Sequence, residues 1–177
     1  NYGPLGMSHH TTEDIAVMRA IPNITVVVPS TAWEAKNATK KLSKHKGVSY
    51  LRIEKGGDNH PPFKNSKFEL GKHVVHRHGK DVCIITAGSI INECIEAADK
   101  LEKSNISCKI ISMHTIKPID EKVILKTAKN FKNIITVEEH NCLGGLGGAV
   151  AEVLVKSKFV RNFECVAVND EFSSIVG

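Results

Sequence analysis

An α/β fold, with mostly parallel sheets and flanking helices, is what this sequence predicts, on three observations. Runs rich in β-branched residues recur at 82–86, 108–112, 134–138 and 164–168. Helical patterns of roughly 10 to 14 residues separate them, which is the alternation of βαβ crossovers and a parallel sheet. The runs are apolar almost throughout, as in strands covered on both faces.

In chain order, residues 11–20 read as a short helix with a threonine cap, acids Glu13 and Asp14 in its first turn, and a stop at Pro22. A strand follows at 24–28, and Ser30 is expected to cap a helix over 31–43 whose lysines crowd the last turns. Residues 48–53 are again strand-like. Between 56 and 67 the chain turns to glycine, proline, asparagine and aspartate with no apolar periodicity, which marks a linker. Beyond it the pattern runs strand 82–86, helix 90–103, strand 108–112, helix 120–129, strand 134–138, helix 146–156 and strand 164–168. The division is therefore 1–60, a linker at 61–67, and 68–177. The first piece is too short to be a domain by itself, and with Asn1 in place of a starting Met the sequence reads as cut at both ends.

Composition excludes several classes. At 177 residues, 41% apolar and 24% charged with 13 glycines, the chain can bury a core and is neither disordered nor repetitive. Its longest apolar runs fall far below the roughly 20 residues that span a bilayer. The net charge of +5 comes from scattered lysines without interleaved aromatics, so no nucleic-acid stripe and no membrane partner is expected. Five cysteines, an odd number with no CxxC pair, indicate a reducing, cytoplasmic chain, and Cys83, Cys108 and Cys165 are expected in the core.

Four clusters can carry chemistry. His9 and His10 precede a helix start, where an imidazole beside backbone N–H groups can bond to or move a proton on a substrate. Arg52, Glu54, Lys55, Gly56 and Gly57 close a strand at the carboxyl end where ligands of parallel sheets collect. Two readings of this segment stand side by side: an anion or phosphate site built on Arg52 and Lys55, and a strand-end ion pair with Glu54. Residues 138–148, with Glu138, Glu139, His140 and two glycine pairs, lack GxGxxG spacing, and their acids would repel a pyrophosphate. A tight strand-to-helix connection at a packing interface is the reading there. A Cys142–His140 thiol and base is not favoured, because residues two apart do not face each other. His73, His76 and His78 lie among Lys72, Arg77 and Lys80, whose charges oppose a metal ion, so a solvated hairpin is expected.

Taken together, the segments His-His-Thr-Thr-Glu-Asp-Ile-Ala, Arg-Ala-Ile-Pro-Asn, Val-Val-Pro-Ser, Tyr-Leu-Arg-Ile-Glu-Lys-Gly, Thr-Ile-Lys-Pro-Ile-Asp and Val-Glu-Glu-His…Gly-Gly-Leu-Gly-Gly resemble the carboxyl-terminal half of the transketolase family. The resemblance covers essentially the whole chain. It implies that residues 1–60 are the tail of an incomplete pyrimidine-binding domain for thiamine diphosphate and that 68–177 is a transketolase C-terminal-like domain. It further implies that His9 matches the family's active-site histidine, with His10, Arg52 and Lys55 on the substrate side. Lys55 stands where relatives have a phosphate-binding arginine, and offers a point charge in place of a bidentate fork. Leu5 stands where many transketolases have an aspartate that recognises the donor sugar.

The implied activity is transfer of a two-carbon ketol unit from a ketose to an aldose, on sugar or sugar-phosphate substrates. The implied cofactors are thiamine diphosphate and Mg²⁺, with the activating glutamate and the stacking aromatic expected before residue 1. The implied assembly is a homodimer, or a heterotetramer with an N-terminal subunit. A decarboxylating synthase of the 1-deoxyxylulose-5-phosphate type, a 2-oxoacid dehydrogenase component and a non-catalytic dimerisation module are the competing readings.

Overall fold

The computed structural model describes residues 10–54, 62–63, 66–158 and 162–171. His9, Lys55, Leu5 and residues 61, 64 and 65 of the expected linker lie outside the described residues. The chain forms α1 (Asp14–Ala20), β1 (Thr25–Val27), α2 (Ala32–Leu42), β2 (Ser49–Leu51), β3 (Val74–Arg77), β4 (Val82–Ala87), α3 (Ile91–Glu102), β5 (Cys108–Ser112), β6 (Thr115–Lys117), α4 (Glu121–Asn130), β7 (Asn133–Asn141), α5 (Leu146–Val155) and β8 (Asn162–Val168). Among the described residues no helix is long and apolar enough to cross a membrane.

The larger sheet has the order β3-β5-β4-β7-β8. The pairings among β5, β4, β7 and β8 are parallel, and β3 lies antiparallel on the edge beside β5. Side chains alternate across β4 as the pleat requires. Cys83, Ile85 and Ala87 face a cluster with Val123, Ile124, Ala149 and Val150 of α4 and α5. Ile84 faces the opposite cluster with Ile91, Cys94 and Ala98 of α3. Helices therefore cover both faces, which accounts for the near-continuous apolar strands.

The smaller sheet has the order β2-β1-β6, with β1 parallel to β2 and antiparallel to β6. β6 had no place in the sequence expectation. It leaves the end of β5 and crosses to complete the sheet of the first segment, pairing Val26 with Lys117 and Val27 with Thr115. The main core cluster accordingly runs through both sheets, from Ile15, Ile24 and Val26 to Met113 and Ile134.

Four local expectations are corrected. The helix after the histidines starts at Asp14, and its N-cap is Glu13 without a side-chain cap bond. Thr12 is buried and directs its hydroxyl to Glu13 Oε1 at 2.6 Å, so it does not cap the helix. On α2 the cap is Thr31 and not Ser30: Thr31 Oγ1 accepts from Glu34 N–H at 3.2 Å, while Glu34 Oε2 accepts from Ser30 N–H at 2.7 Å. This is a capping box reaching one residue further back than usual. Cys165 is exposed, because β8 is the edge strand and most of its residues are uncovered, whereas Cys83, Cys94 and Cys108 are buried. Burial pushes the Cys83 and Cys94 thiols up to about 12 and about 11, which leaves them inert.

The fourth correction concerns the histidines of 73–78, which form no solvated hairpin. His73 and His76 flank and enter the edge strand β3 and reach across to carboxylates of other elements, which the sequence pattern does not announce. His73 Nδ1 lies 2.9 Å from Asp120 Oδ2, the N-cap of α4, and His78 stacks on Phe63 with ring centroids 4.8 Å apart. His76 Nε2 donates to Glu34 Oε1 at 3.0 Å, and Glu34 is completely buried. Glu34 Oε2 also accepts from Ser112 Oγ at 2.9 Å, so the Ser30 hydroxyl must supply the proton in its 2.9 Å bond to Ser112 Oγ. The carboxylate thus joins α2, β3 and β5, and holds the two sheets together through satisfied polar groups.

His114 lies buried beside this cluster, stacked on Phe68 at 4.0 Å with Nδ1 2.9 Å from Thr115 Oγ1. Burial pulls its value from 6.5 down to about 4, with Glu34 opposing and His73 and His76 reinforcing the shift. Between those pH values the unfolded chain binds a proton that the folded chain refuses. Stability from the neutral ring is therefore complete above pH 6.5 and declines as the pH falls toward 4, by at most about 1.4 kcal/mol per pH unit. Denaturant midpoints taken between pH 7 and pH 5 are expected to fall less steeply for His114→Leu than for wild type. Equal slopes would remove His114 from this role.

Candidate functional site

The order of the larger sheet places a topological switch between β4 and β7. The chain leaves β4 for α3 on one face and β7 for α5 on the other, so the loops at their carboxyl ends diverge. A doubly wound sheet offers its ligand crevice at such a point. Here the chain itself fills the crevice, with the end of β2 and with α1.

Arg52 follows β2 and is 5% exposed. Its Nη2 donates to the Glu139 carbonyl at 2.9 Å and lies 3.0 Å from Glu54 Oε1, and its Nη1 lies 3.4 Å from Asp14 Oδ1. Glu54 Oε2 in turn accepts from both the N–H and the hydroxyl of Ser89 at 2.6 Å, in the loop after β4. The strand-end ion pair between Arg52 and Glu54 is present, and it spans the switch point. Asp14 Oδ2 accepts from Tyr50 OH at 2.8 Å, and burial together with this bond pushes the Tyr50 phenol up to about 12.

The second contact is α1 against the turn from β7 to α5. Asn141 N–H donates to the Thr12 carbonyl at 2.7 Å, and Ala16 N–H donates to His140 Nε2 at 3.3 Å. His140 Nδ1 bonds the Asn141 carbonyl at 2.8 Å. A carbonyl only accepts and an N–H only donates, so the ring carries its proton on Nδ1 and presents a lone pair at Nε2. Arg19 donates to the Gly144 and Gly145 carbonyls at 2.6 and 3.2 Å and pairs with Glu152 at 2.9 Å. Gly144 has φ 75°, and a Cβ there would stand 2.7 Å from the Ala16 Cβ, so both its conformation and the close approach of α1 require glycine.

The turn at 138–148 is the tight strand-to-helix connection that the sequence indicates, and the structure supplies the reason for its acid. Glu138 accepts from Leu146 N–H at 2.6 Å and Gly147 N–H at 2.7 Å, placing its own carboxylate at the N-terminus of α5. Burial raises the Glu138 carboxyl, and the two N–H groups, His140 and Arg19 oppose that rise. A Cβ on Gly145 would collide with the Glu138 carboxylate and the His140 ring. Cys142 is exposed, and His140 is turned inward and fully bonded, so the two form no thiol and base pair.

His10, at the head of this clamped segment, is half-buried, and its Nε2 is buried without a hydrogen-bond partner among the described residues. A cleft of about 270 Å³ opens beside Glu54 and Ser89, lined also by Ser30, Thr31, Ala35 and Ile53. The structure thus brings the segment that begins at His10 together with Arg52 and Glu54 at the carboxyl end of the larger sheet. Sequence reasoning missed Asp14, Glu54's bond to Ser89, and His140. The Glu138-Glu139-His140 run beside paired glycines was the one available signal for the last.

This arrangement defines a class: an α/β chain of two interlocked sheets, the larger mostly parallel and the smaller mixed, in which one unit's switch-point crevice receives the other's strand end. Residues 71–174 match the family model for the transketolase C-terminal domain, and residues 1–57 match that for the transketolase pyrimidine binding domain. The chain belongs to the transketolase family. It is 39% identical over 173 residues to a protein of Methanocaldococcus jannaschii whose name contains the words transketolase C-terminal section, covering 96% of this chain and 54% of that protein. To an apulose-4-phosphate transketolase subunit of Actinobacillus succinogenes it is 34% identical over 158 residues, covering 88% of this chain and 50% of that one. A solved structure described as a split gene transketolase, inactive beta4 tetramer, superposes with a TM-score of 0.87 at 36% identity, covering 96% of this chain and 55% of that one. The chain spans about half the length of these relatives.

Proposed function

We propose that this chain supplies the pyrimidine-domain tail (1–60), a linker (61–67) and the C-terminal domain (68–177) of a thiamine-diphosphate-dependent transketolase-type transferase. The enzyme moves a two-carbon ketol unit from a ketose to an aldose. The observation that carries this reading is the clamp on α1, which holds the segment beginning at His10 against the carboxyl end of the larger sheet in a chain of this family. In this reading His9 bonds to, or moves a proton on, a hydroxyl or carbonyl oxygen of the sugar. His10, the next residue in the chain, is assigned to the substrate side with it, and its Nε2 has no hydrogen-bond partner among the described residues. Lys55 offers a point charge to a substrate phosphate. Arg52, tied to Asp14, Glu54 and the Glu139 carbonyl, acts on the substrate side by setting the strand end that leads to Lys55.

The described residues do not fit a diphosphate or Mg²⁺. The Ser89 N–H just ahead of α3 is taken by Glu54, and the Leu146 and Gly147 N–H groups at the start of α5 are taken by Glu138. Among the described residues no three His, Cys, Asp or Glu side chains cluster as metal ligands. Thiamine diphosphate and Mg²⁺ are therefore assigned to other parts of the enzyme, in the same polypeptide or in an N-terminal subunit, with a homodimer or heterotetramer as the assembly and the cytoplasm as its place. The test is to assemble the complete natural protein and follow aldose release from ketose donors. Turnover is expected only when thiamine diphosphate and Mg²⁺ are both supplied. An assembled protein that neither turns over nor binds the cofactor by calorimetry would sink the reading, and pyruvate consumption with CO₂ release would move it to decarboxylating synthase chemistry.

A further inference from the structure

We propose that His140 is a positioning residue for the histidine segment, acting as a helix cap supplied from the other unit. This rests on the functional reading above only for its catalytic consequence. The first N–H groups of a helix have no partner inside it, and α1 has no side-chain cap of its own at Glu13. His140 Nε2 satisfies one of them, Ala16 N–H, from 124 residues away in sequence, and does so from complete burial. The ring is aimed by its Nδ1 bond to the Asn141 carbonyl, and the next amide, Asn141 N–H, holds the Thr12 carbonyl. One dipeptide of β7 therefore fixes both the entry to α1 and its first turn, on either side of Glu13. The geometry leaves the segment from His10 to Ala16 little freedom to shift along or turn about the axis of α1. Where a catalytic group must hold its place within about an ångström, loss of such an anchor costs up to about 100-fold in rate without removing a substrate contact.

Three variants in the complete enzyme separate positioning from packing. In His140→Gln the side-chain oxygen reaches the place of Nε2 and can accept from Ala16 N–H. In His140→Asn the amide nitrogen takes the place of Nδ1, keeping the bond to the Asn141 carbonyl and losing α1. His140→Leu loses both. The expected result is kcat within about 3-fold of wild type for His140→Gln and a fall of about 10- to 100-fold for His140→Asn and His140→Leu, with KM for the ketose changed much less. Hydrogen exchange of the amides of α1 should quicken in the Asn and Leu variants and stay near wild type in Gln. Equal behaviour of Gln and Asn, whether both intact, both impaired or both unfolded, would overturn the proposal, because it would show that the ring matters only for its volume or its Nδ1 bond. A wild-type enzyme without ketol transfer would instead bring down the functional reading, and the exchange difference between Gln and Asn would then decide the cap by itself.

Discussion

Glu34→Ala is expected to destabilise the chain by about 3–5 kcal/mol, read from the urea midpoint and slope at pH 7. Glu34 is completely buried, and its carboxylate receives three donors from three places: Ser30 N–H, Ser112 Oγ and His76 Nε2. Truncation leaves all three without their acceptor in a site closed to water. The penalty is that of stranded polar groups, in addition to the capping box of α2. Glu34→Gln should cost less, since its amide oxygen can still accept from Ser30 or Ser112, while the pairing with His76 is weakened. A loss below about 1 kcal/mol for Glu34→Ala would show that water or a rearranged hydroxyl replaces the carboxylate easily.

His9→Ala in the complete enzyme is expected to lower kcat/KM for the ketose by about 10²- to 10⁴-fold, the range ascribed to a positioned acid or base. The expectation rests on the proposed function and on how firmly the chain just after His9 is held. Thr12 is tied through its carbonyl to Asn141, Ala16 to His140, and Arg19 to Gly144 and Glu152. The chain is thus anchored from Thr12, three residues beyond His9, which an idle surface turn does not need. Equal rates at equal stability would favour the non-catalytic reading, in which the domain serves only association. Rescue of the alanine variant by His9→Gln would indicate hydrogen bonding, and failure of rescue would indicate proton transfer.

How much of this was legible in the sequence depended on how local the determinant was. The strand and helix alternation from β4 to β8 was readable because each apolar run and each helical repeat carries its own periodicity. The acid at the β7–α5 turn was readable in part, since Glu138 and the glycines it serves lie within one turn of chain. Likewise, Arg52 and Glu54 point to the same side of an extended chain, so their pairing could be offered from spacing alone. The remaining partners are distant. Asp14 and Glu139 meet at Arg52 from far apart in the chain, and His76 finds Glu34 across the sheet junction. Judged by its neighbours in sequence, His76 belongs on a cationic surface, and the buried carboxylate that reverses this lies on α2. β6 is three residues long and antiparallel to a strand in the other segment, so neither its length nor its pattern announces it. Cys165 sits in an apolar run, but an edge strand leaves part of such a run uncovered.

The crossing of β6 also bears on the order in which the molecule can be made. β1 cannot complete its hydrogen bonding until Lys117 arrives about ninety residues later, after β4, α3 and β5 have been synthesised. Until then a ribosome-bound chain exposes the unfilled edge of β1, and α1 has no turn to lie against. The segment that carries β1 thus acquires its final form only with the domain that follows it, although it is translated ahead of that domain, which serves as its mould.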